Sequence, residues 1–232
     1  ATLLTKEPLL GHVGIGHTRW ATHGRPTKNN AHPHATDLVA VVHNGIIENY
    51  RELRAELEEK NHVFTSETDT ESIAHLLTDY LRQGMSPQDA TAATLQRLQG
   101  AFALGIIFTG HKDLLIGARR GSPLAVGFGD GEMYLGSDAL ALAPLTNKIC
   151  YLEEGDWAEL RQGKAIIHDE KNVIVERKVQ QTMLSGAMIG KGQYRHYMLK
   201  EIFEQPAVIG DTLNAMMSSS NVLADEQLPF KS

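Results

Sequence analysis

The stretch from His17 to Gly45 decides the fold of this chain and carries most of its chemistry. It contains HTRWATHG at 17–24, NAHPH at 30–34 and LVAVVHNG at 38–45. The apolar run in the last segment is typical of a strand that is covered on both faces. The continuation IIENYREL has the spacing of a helix, so the chain is not expected to return as the second strand of a hairpin.

The composition describes a globular protein without a basic surface. The chain has 232 residues, of which 42% are hydrophobic, and this is enough to bury a substantial core. A formal charge of −6 and scattered Lys and Arg argue against nucleic-acid binding. The one cysteine fits a reducing compartment, no apolar stretch could span a bilayer, and no secretion signal is recognised. We therefore expect a cytoplasmic protein that binds neither nucleic acid nor membrane.

Two strand patterns open the chain, a group of helical patterns follows, and a longer group of strand patterns comes after them. The predicted helices are Glu48–Lys60, one that begins at a capping box of Thr68 and Glu71, one that begins at Ser86-Pro87, and Asp138–Leu145. The predicted strands are Val13–Thr18, Leu38–His43, Ala101–Phe108, Asp113–Ala118, Leu124–Gly127, Met133–Leu135, Ile149–Leu152, Trp157–Arg161, Lys164–His168 and Val173–Lys178. This grouping favours an α+β layered sandwich over a doubly wound sheet.

A glycine-bearing linker, SGAMIGKG at 185–192, indicates a change of domain. We place the boundary near Gln181, which gives a first domain of residues 1–181 and a second segment of residues 182–232. Within the second segment, residues 194–217 are helix-prone, with a break predicted at Pro206.

Two positions suggest recognition of a charged substrate. Arg19 offers a fork that binds a carboxylate through two hydrogen bonds, although it could equally form a surface ion pair. Asp69 stands at a predicted helix start, where it could pair with a substrate ammonium or simply meet the positive end of the helix dipole.

Asn44-Gly45 could form an oxyanion hole. The Asn side chain donates from its amide, and a glycine lets a backbone N–H approach a ligand closely. The alternative is an ordinary Asn-Gly turn.

The histidines are dense at one end of the chain: His12, His17, His23, His32, His34 and His43. His32-Pro33-His34 raises the alternative of a zinc-dependent hydrolase. No cysteine lies nearby and the spacing matches no metal motif that we recognise, so loop histidines are favoured.

Cys150 lies in a strand pattern without an evident activating base and is interpreted as structural.

Together these motifs resemble the glutaminase (class II glutamine amidotransferase) domain of the glutamine–fructose-6-phosphate aminotransferase family, the glucosamine-6-phosphate synthases. The matching runs are GHVGIGHTRWATHG, NAHPH, VVHNGIIENY, SETDTESIAHL, RGSPL, GSDALAL, YLEEGDWAEL and YRHYMLKEIFEQP. The last run resembles the link to that family's sugar-phosphate isomerase domain and distinguishes it from other class II amidotransferases.

The resemblance implies a fold and an activity. The fold is that of the N-terminal-nucleophile hydrolases, a four-layer α/β/β/α sandwich with mainly antiparallel sheets. The activity is hydrolysis of L-glutamine to glutamate and ammonia, and the ammonia converts fructose 6-phosphate, bound in the isomerase domain, to glucosamine 6-phosphate. No cofactor or metal is implied, and the whole enzyme is expected to be a homodimer.

The resemblance also assigns substrate-binding roles. Arg19 would hold the α-carboxylate of glutamine, with Thr22 and His23 lining the same pocket. Asp69 would pair with the α-ammonium. Trp20 resembles the lid residue that closes over glutamine.

Catalytic roles follow for Asn44 and Gly45, which would stabilise the tetrahedral oxyanion. In this family the nucleophile is a cysteine at the mature N-terminus, whereas residue 1 here is Ala. We therefore expect an internal fragment, truncated before its first matched strand, without the isomerase domain and inactive by itself. The alternatives are a non-catalytic glutamine- or glutamate-binding module and another class II amidotransferase.

Overall fold

The computed structural model describes residues 11–18, 24–182 and 191–216. The chain divides into two compact units, one up to Gly186 and one from Ala187 onward. The domain boundary near Gln181 stays a prediction. Among the described residues, none of the helices is long and apolar enough to cross a membrane.

The first unit contains two antiparallel sheets. The strands in chain order are β1 His34–Ala35, β2 Val39–Ile47, β3 Gly100–Phe108, β4 Leu115–Arg120, β5 Ala125–Phe128, β6 Met133–Gly136, β7 Lys148–Tyr151, β8 Trp157–Arg161, β9 Lys164–His168, β10 Ile174–Val175 and β11 Gln180–Gln181. The larger sheet has the order β1-β2-β3-β4-β8-β9-β10, and the smaller sheet has the order β11-β7-β5-β6. Every pairing between these strands is antiparallel.

Helices cover one face of the larger sheet. They are α1 Tyr50–Glu59, α2 Thr70–Arg82 and α3 Pro87–Arg97. The apolar stripes of these helices pack against the face of β3 that carries Phe102, Leu104 and Ile106. Ser86 caps α3 by accepting the Asp89 N–H at 3.1 Å, as the sequence indicated.

The other side of the larger sheet faces the smaller sheet. Alternation along β3 directs Ala103 to this second core, together with Leu124 and Val126 from the region of β5. A short helix, α4 Ala139–Leu142, packs on the outer face of the smaller sheet. The order of layers is therefore helix, sheet, sheet, helix, and the predicted α+β fold is confirmed.

Three sequence predictions about local structure in the first unit are wrong. Residues 13–18 form no strand. The capping box of Thr68 and Glu71 is absent, because Asp69 occupies the N-cap position of α2 and makes no side-chain cap there. The third is the end of the second predicted strand at His43. Asn44 and Gly45 lie inside β2, because the pairing of β2 with β3 extends as far as Ile47.

In the second unit the described residues include one long helix, α5 Tyr197–Met216. Pro206 lies inside this helix, so the break predicted there is wrong. Proline removes one backbone hydrogen bond, but the cooperative ladder on both sides of it maintains the helix.

Candidate functional site

Asn44 projects from the middle of β2 toward the space between the sheets. Its backbone pairs with Ala103 of β3, which fixes its position along the strand. Its side-chain oxygen Oδ1 lies 2.7 Å from Nε2 of His17, a residue of the preceding segment. The oxygen side of the Asn44 amide is therefore engaged by the protein itself.

Gly45 has a backbone conformation that other residues rarely adopt. Its φ is +126°, far from the value of about −140° of a regular antiparallel strand. A Cβ at this position would lie 2.1 Å from the carbonyl oxygen of Ala101 in the neighbouring strand. The close approach of two strands thus requires glycine here.

Asp69 connects the end of β2 to the start of α2. Its Oδ2 accepts the backbone N–H of Ile47 at 2.8 Å and lies 3.9 Å from Nδ1 of His43. The residue is only 3% exposed. A buried carboxylate is stable only with such hydrogen-bond and charge partners.

A chain of ring and hydroxyl contacts joins the start of α2, next to Asp69, to the side chain of Asn44. Thr70, the first residue of α2, has its Oγ1 3.0 Å from both His32 Nε2 and His43 Nδ1. The His32 ring in turn packs against the His17 ring, with centroids 4.4 Å apart. The His17 ring, which contacts Asn44, is therefore supported by α2 through His32.

Glu71 organises the loop before α2. Its carboxylate accepts four hydrogen bonds, from the backbone N–H and the hydroxyl of Thr65 and of Ser66, at 2.6–2.9 Å. Burial opposes ionisation of this carboxyl, but hydrogen bonds from His75, Ser66 and Thr65 outweigh it and lower its pKa. The loop that leads to Asp69 is thereby held by an ionised side chain.

The NAHPH segment is attached to the same loop. Asn30 donates from Nδ2 to the carbonyl of Arg25 and to the carboxylate of Glu67, and its Oδ1 accepts the Glu67 N–H at 3.0 Å. Gly24, at φ +75°, lies so close that a Cβ there would be 2.8 Å from Asn30 Nδ2.

A cavity of about 420 Å³ lies beside Asn44. Its lining includes the polar residues His17, His43 and Asn44, and the apolar part of the lining includes Leu124 and Leu135. Its volume is within the range of small-molecule sites.

The structure describes three of the seven residues predicted for the site. Asn44 and Gly45 lie together in β2, and Asp69 is bonded to the same strand. The other four predicted residues, Arg19, Trp20, Thr22 and His23, lie outside the described residues.

The sequence interpretation gave no role to His17 or to Thr70. His17 was visible only as one of many histidines. The signal that could have distinguished it is its place next to the Arg19 loop. No local pattern indicates the bridging position of Thr70, because its partners are distant in sequence.

The zinc alternative finds no support in the placement of its two histidines. Nε2 of His32 contacts Thr70, while Nε2 of His34 lies 2.9 Å from Oγ1 of Thr68. In the described ranges, no three potential ligand side chains converge on one point.

Cys150 is buried in β7. Burial raises the pKa of its thiol, and the nearby charge of Asp156 raises it further, as is typical of a structural cysteine.

Comparison with known proteins gives consistent results. A family model described as "Glutamine amidotransferase domain" matches residues 17–144. A glutamine–fructose-6-phosphate aminotransferase (isomerizing) of Bradyrhizobium diazoefficiens is 61% identical over 225 residues, which cover 96% of this chain and 37% of that protein. A protein with the same name from Zymomonas mobilis is 59% identical over 215 residues, covering 93% of this chain and 35% of that protein. The chain thus spans little more than a third of the length of these relatives.

Solved structures of similar fold include the glutamine phosphoribosylpyrophosphate amidotransferase of B. subtilis. It has a TM-score of 0.55 at 26% identity, over 68% of this chain and 35% of that one. A structure described as the allosteric regulatory enzyme of purine biosynthesis has a TM-score of 0.51 at 25% identity, over 73% of this chain and 35% of that one.

Proposed function

The chain belongs to the glutamine amidotransferase domain family, and from this premise we propose that it is the glutaminase part of a glutamine–fructose-6-phosphate aminotransferase. It binds L-glutamine and stabilises the charge that develops during hydrolysis of the side-chain amide. The ammonia released is used to make glucosamine 6-phosphate from fructose 6-phosphate in another domain of the longer protein. The names of the relatives at 61% and 59% identity support this choice of acceptor.

The observation that carries the proposal is the attachment of Asp69 to the strand that bears Asn44. The Asp69 carboxylate is bonded to Ile47, three residues beyond Asn44 in β2. Three residues of a strand span about 10 Å, which is the scale of one amino-acid ligand. The bond therefore fixes the Asp69 carboxylate at a point of β2 that lies about one amino-acid length along the strand from Asn44.

In the proposed binding mode the two charges of the α-amino acid are recognised separately. A carboxylate has about four acceptor sites, so Asp69 can accept a hydrogen bond from the α-ammonium in addition to the one from the Ile47 N–H. Arg19 binds the α-carboxylate through two hydrogen bonds, and Thr22 and His23 line the pocket. Trp20 closes over the substrate and keeps water out.

The chemical step needs a thiolate and an oxyanion hole. A cysteine thiolate attacks the side-chain amide carbon of glutamine, and the oxygen becomes an oxyanion stabilised by the Asn44 amide and the Gly45 N–H. The oxyanion then collapses to a thioester as the C–N bond breaks, and the nitrogen takes up the proton that the thiol had lost and leaves as ammonia. Water hydrolyses the thioester to glutamate and regenerates the thiol. We propose that this cysteine lies outside residues 1–232, because Cys150, the one cysteine in the sequence, is buried in β7.

We also propose that the protein acts in the cytoplasm as a homodimer without a nucleic-acid partner. The formal charge of −6 supports the last point, since phosphate backbones bind to basic surfaces.

The test is glutamine-dependent ammonia release by the full-length gene product, followed by formation of glucosamine 6-phosphate when fructose 6-phosphate is added. Asn44→Ala should lower kcat about 10²–10³-fold, the usual effect of removing one oxyanion donor. Arg19→Ala should instead lower kcat/KM through loss of substrate binding. Asparagine should be a poor substrate, because the separation of the ammonium and oxyanion sites is fixed.

The outcomes separate the proposal from its rivals. Glutamine binding without ammonia release by the full-length protein would favour a non-catalytic binding module. Ammonia transfer to an acceptor other than fructose 6-phosphate would favour another class II amidotransferase. We expect the polypeptide of residues 1–232 to show no turnover by itself, and turnover there would contradict the assignment of an external nucleophile.

A further inference from the structure

The contact between His17 and Asn44 has a defined direction. The amide presents its oxygen Oδ1 to Nε2 of His17 at 2.7 Å, and because an amide oxygen only accepts, this orientation assigns the proton to Nε2. The ring is thus either the Nε2–H tautomer or the imidazolium. In both forms it donates to Asn44.

This direction determines where the Asn44 amide donors point. The oxygen and nitrogen of a primary amide lie on opposite sides of its carbon. When Oδ1 faces the His17 ring, the N–H groups of Nδ2 face away from that ring. Asn44 is exposed and lines the cavity, so donors turned from His17 are accessible to a bound substrate.

We infer that His17 is a positioning residue that holds the Asn44 amide in the orientation needed to donate to an oxyanion. This inference rests on the proposed glutaminase function and assigns His17 a part in the same site. A reversed amide would direct its oxygen at the developing negative charge, which would repel it. Preorganised donors stabilise a transition state without reorganising during the reaction.

The surroundings of His17 suit a positioning role. Its ring packs on His32 at a centroid distance of 4.4 Å and an interplanar angle of 48°. His32 is held by Thr70 at the start of α2. The donor ring is therefore supported by packed groups from two other segments, as a catalytic group needs for a fixed geometry.

The experiment compares His17→Ala, His17→Gln and the control His12→Ala in the full-length protein. His12 is exposed and lines a different cavity. His17→Ala should lower kcat for glutamine hydrolysis about 10–100-fold, less than complete loss of the Asn44 donor, with KM changed little. His17→Gln, which keeps an N–H donor, should recover part of kcat, and His12→Ala should resemble the wild type.

A second measurement separates positioning from general structural damage. The γ-semialdehyde of glutamate forms a tetrahedral adduct with a thiol, whereas glutamate itself occupies the ground-state site. His17→Ala should weaken inhibition by the aldehyde at least tenfold and leave inhibition by glutamate nearly unchanged. Equal weakening of both inhibitors would overturn the inference, because it would indicate a distorted pocket.

The inference and the proposed function fail in different ways. If Asn44→Ala is inactive while His17→Ala has normal kcat, His17 does not position the amide and the glutaminase function stands. If Asn44→Ala also has normal kcat, the proposed oxyanion role itself is wrong. Neutron diffraction from crystals of the full-length protein tests the starting point directly, and Nε2 of His17 without a proton would refute the inference even if His17→Ala does not fold.

Discussion

The Asp69 carboxylate accepts the backbone N–H of Ile47 across twenty-two residues of chain. The bond attaches the first turn of α2 to the last residue of β2. One side chain thereby joins the helix layer to the strand that carries Asn44. In the proposed function the same carboxylate also receives the substrate ammonium, so its structural and binding roles can be separated by changing its charge alone.

Asp69→Asn should separate these roles. The Asn oxygen can still accept the Ile47 N–H, so we expect the unfolding temperature to fall only slightly. Loss of the negative charge should raise KM for glutamine at least tenfold, because a charge-assisted hydrogen bond is about twice as strong as a neutral one. Calorimetry and steady-state kinetics of the full-length protein measure the two effects. A large loss of stability with unchanged KM would contradict the substrate-binding role.

Gly45→Ala should be strongly destabilising. The added Cβ would lie 2.1 Å from the Ala101 carbonyl oxygen in addition to the unfavourable φ of +126°. Gly84→Ala is the matched control, since Gly84 also has a positive φ, +89°, but nothing lies within 4 Å of an added Cβ. Backbone strain costs about 1–3 kcal/mol in either case, so the clash should make the Gly45 variant distinctly less stable in denaturant unfolding. Equal effects would mean that the strands separate at little cost.

Glu71→Gln should loosen the loop that leads to Asp69. The amide supplies one acceptor oxygen in place of a carboxylate that receives four hydrogen bonds. We expect a loss of about 2–3 kcal/mol in the free energy of unfolding, as for a buried hydrogen bond to a charged group. Glu59→Gln is the control, because Glu59 is exposed at the end of α1. Denaturant unfolding of both variants at neutral pH measures the difference.

The stability of the first unit should fall as the pH falls below about 6.5, and His62 should contribute to this loss. Burial lowers the pKa of His62, nearby His75 lowers it further, Asp79 opposes the shift and Arg82 adds a small lowering effect. A lowered pKa means that the fold favours the neutral ring. The stabilisation is therefore present above the unfolded-state pKa of about 6.5 and is lost as protons bind the unfolded chain at lower pH.

His62→Gln should reduce that pH dependence. Thermal unfolding between pH 7 and pH 5 should show a smaller decrease in the variant than in the wild type. His111→Gln is the control, because His111 is exposed after β3. An identical pH dependence in wild type and His62→Gln would show that other groups cause it.

Much of the first unit could be predicted from local signals. The helical spacing of residues 48–60 and the Ser86-Pro87 start both correspond to observed helices, α1 and α3. Trp157–Arg161 and Lys164–His168 are strands with the predicted bounds. These elements are predictable because hydrophobic periodicity and capping act between residues close in the chain.

Two of the predictions that failed depend on distant partners. Glu71 has the spacing of a capping box, yet its carboxylate bonds to Thr65 and Ser66, because the loop folds back toward it. Asn44-Gly45 is a turn dipeptide by local preference, but pairing with β3 holds it inside a strand. In both cases a tertiary contact outweighs a local preference of about 1 kcal/mol.

The sequence by itself determined the layered α+β fold and placed Asn44, Gly45 and Asp69 among the candidate site residues. Those results follow from residue chemistry and from patterns that repeat along the chain. Only the tertiary structure decided that Asp69 is bonded to the strand of Asn44, that Glu71 holds the loop before it, and that His17 faces the Asn44 amide. The physical reason is that hydrogen bonds between residues far apart in sequence depend on how the layers pack, which no local pattern encodes.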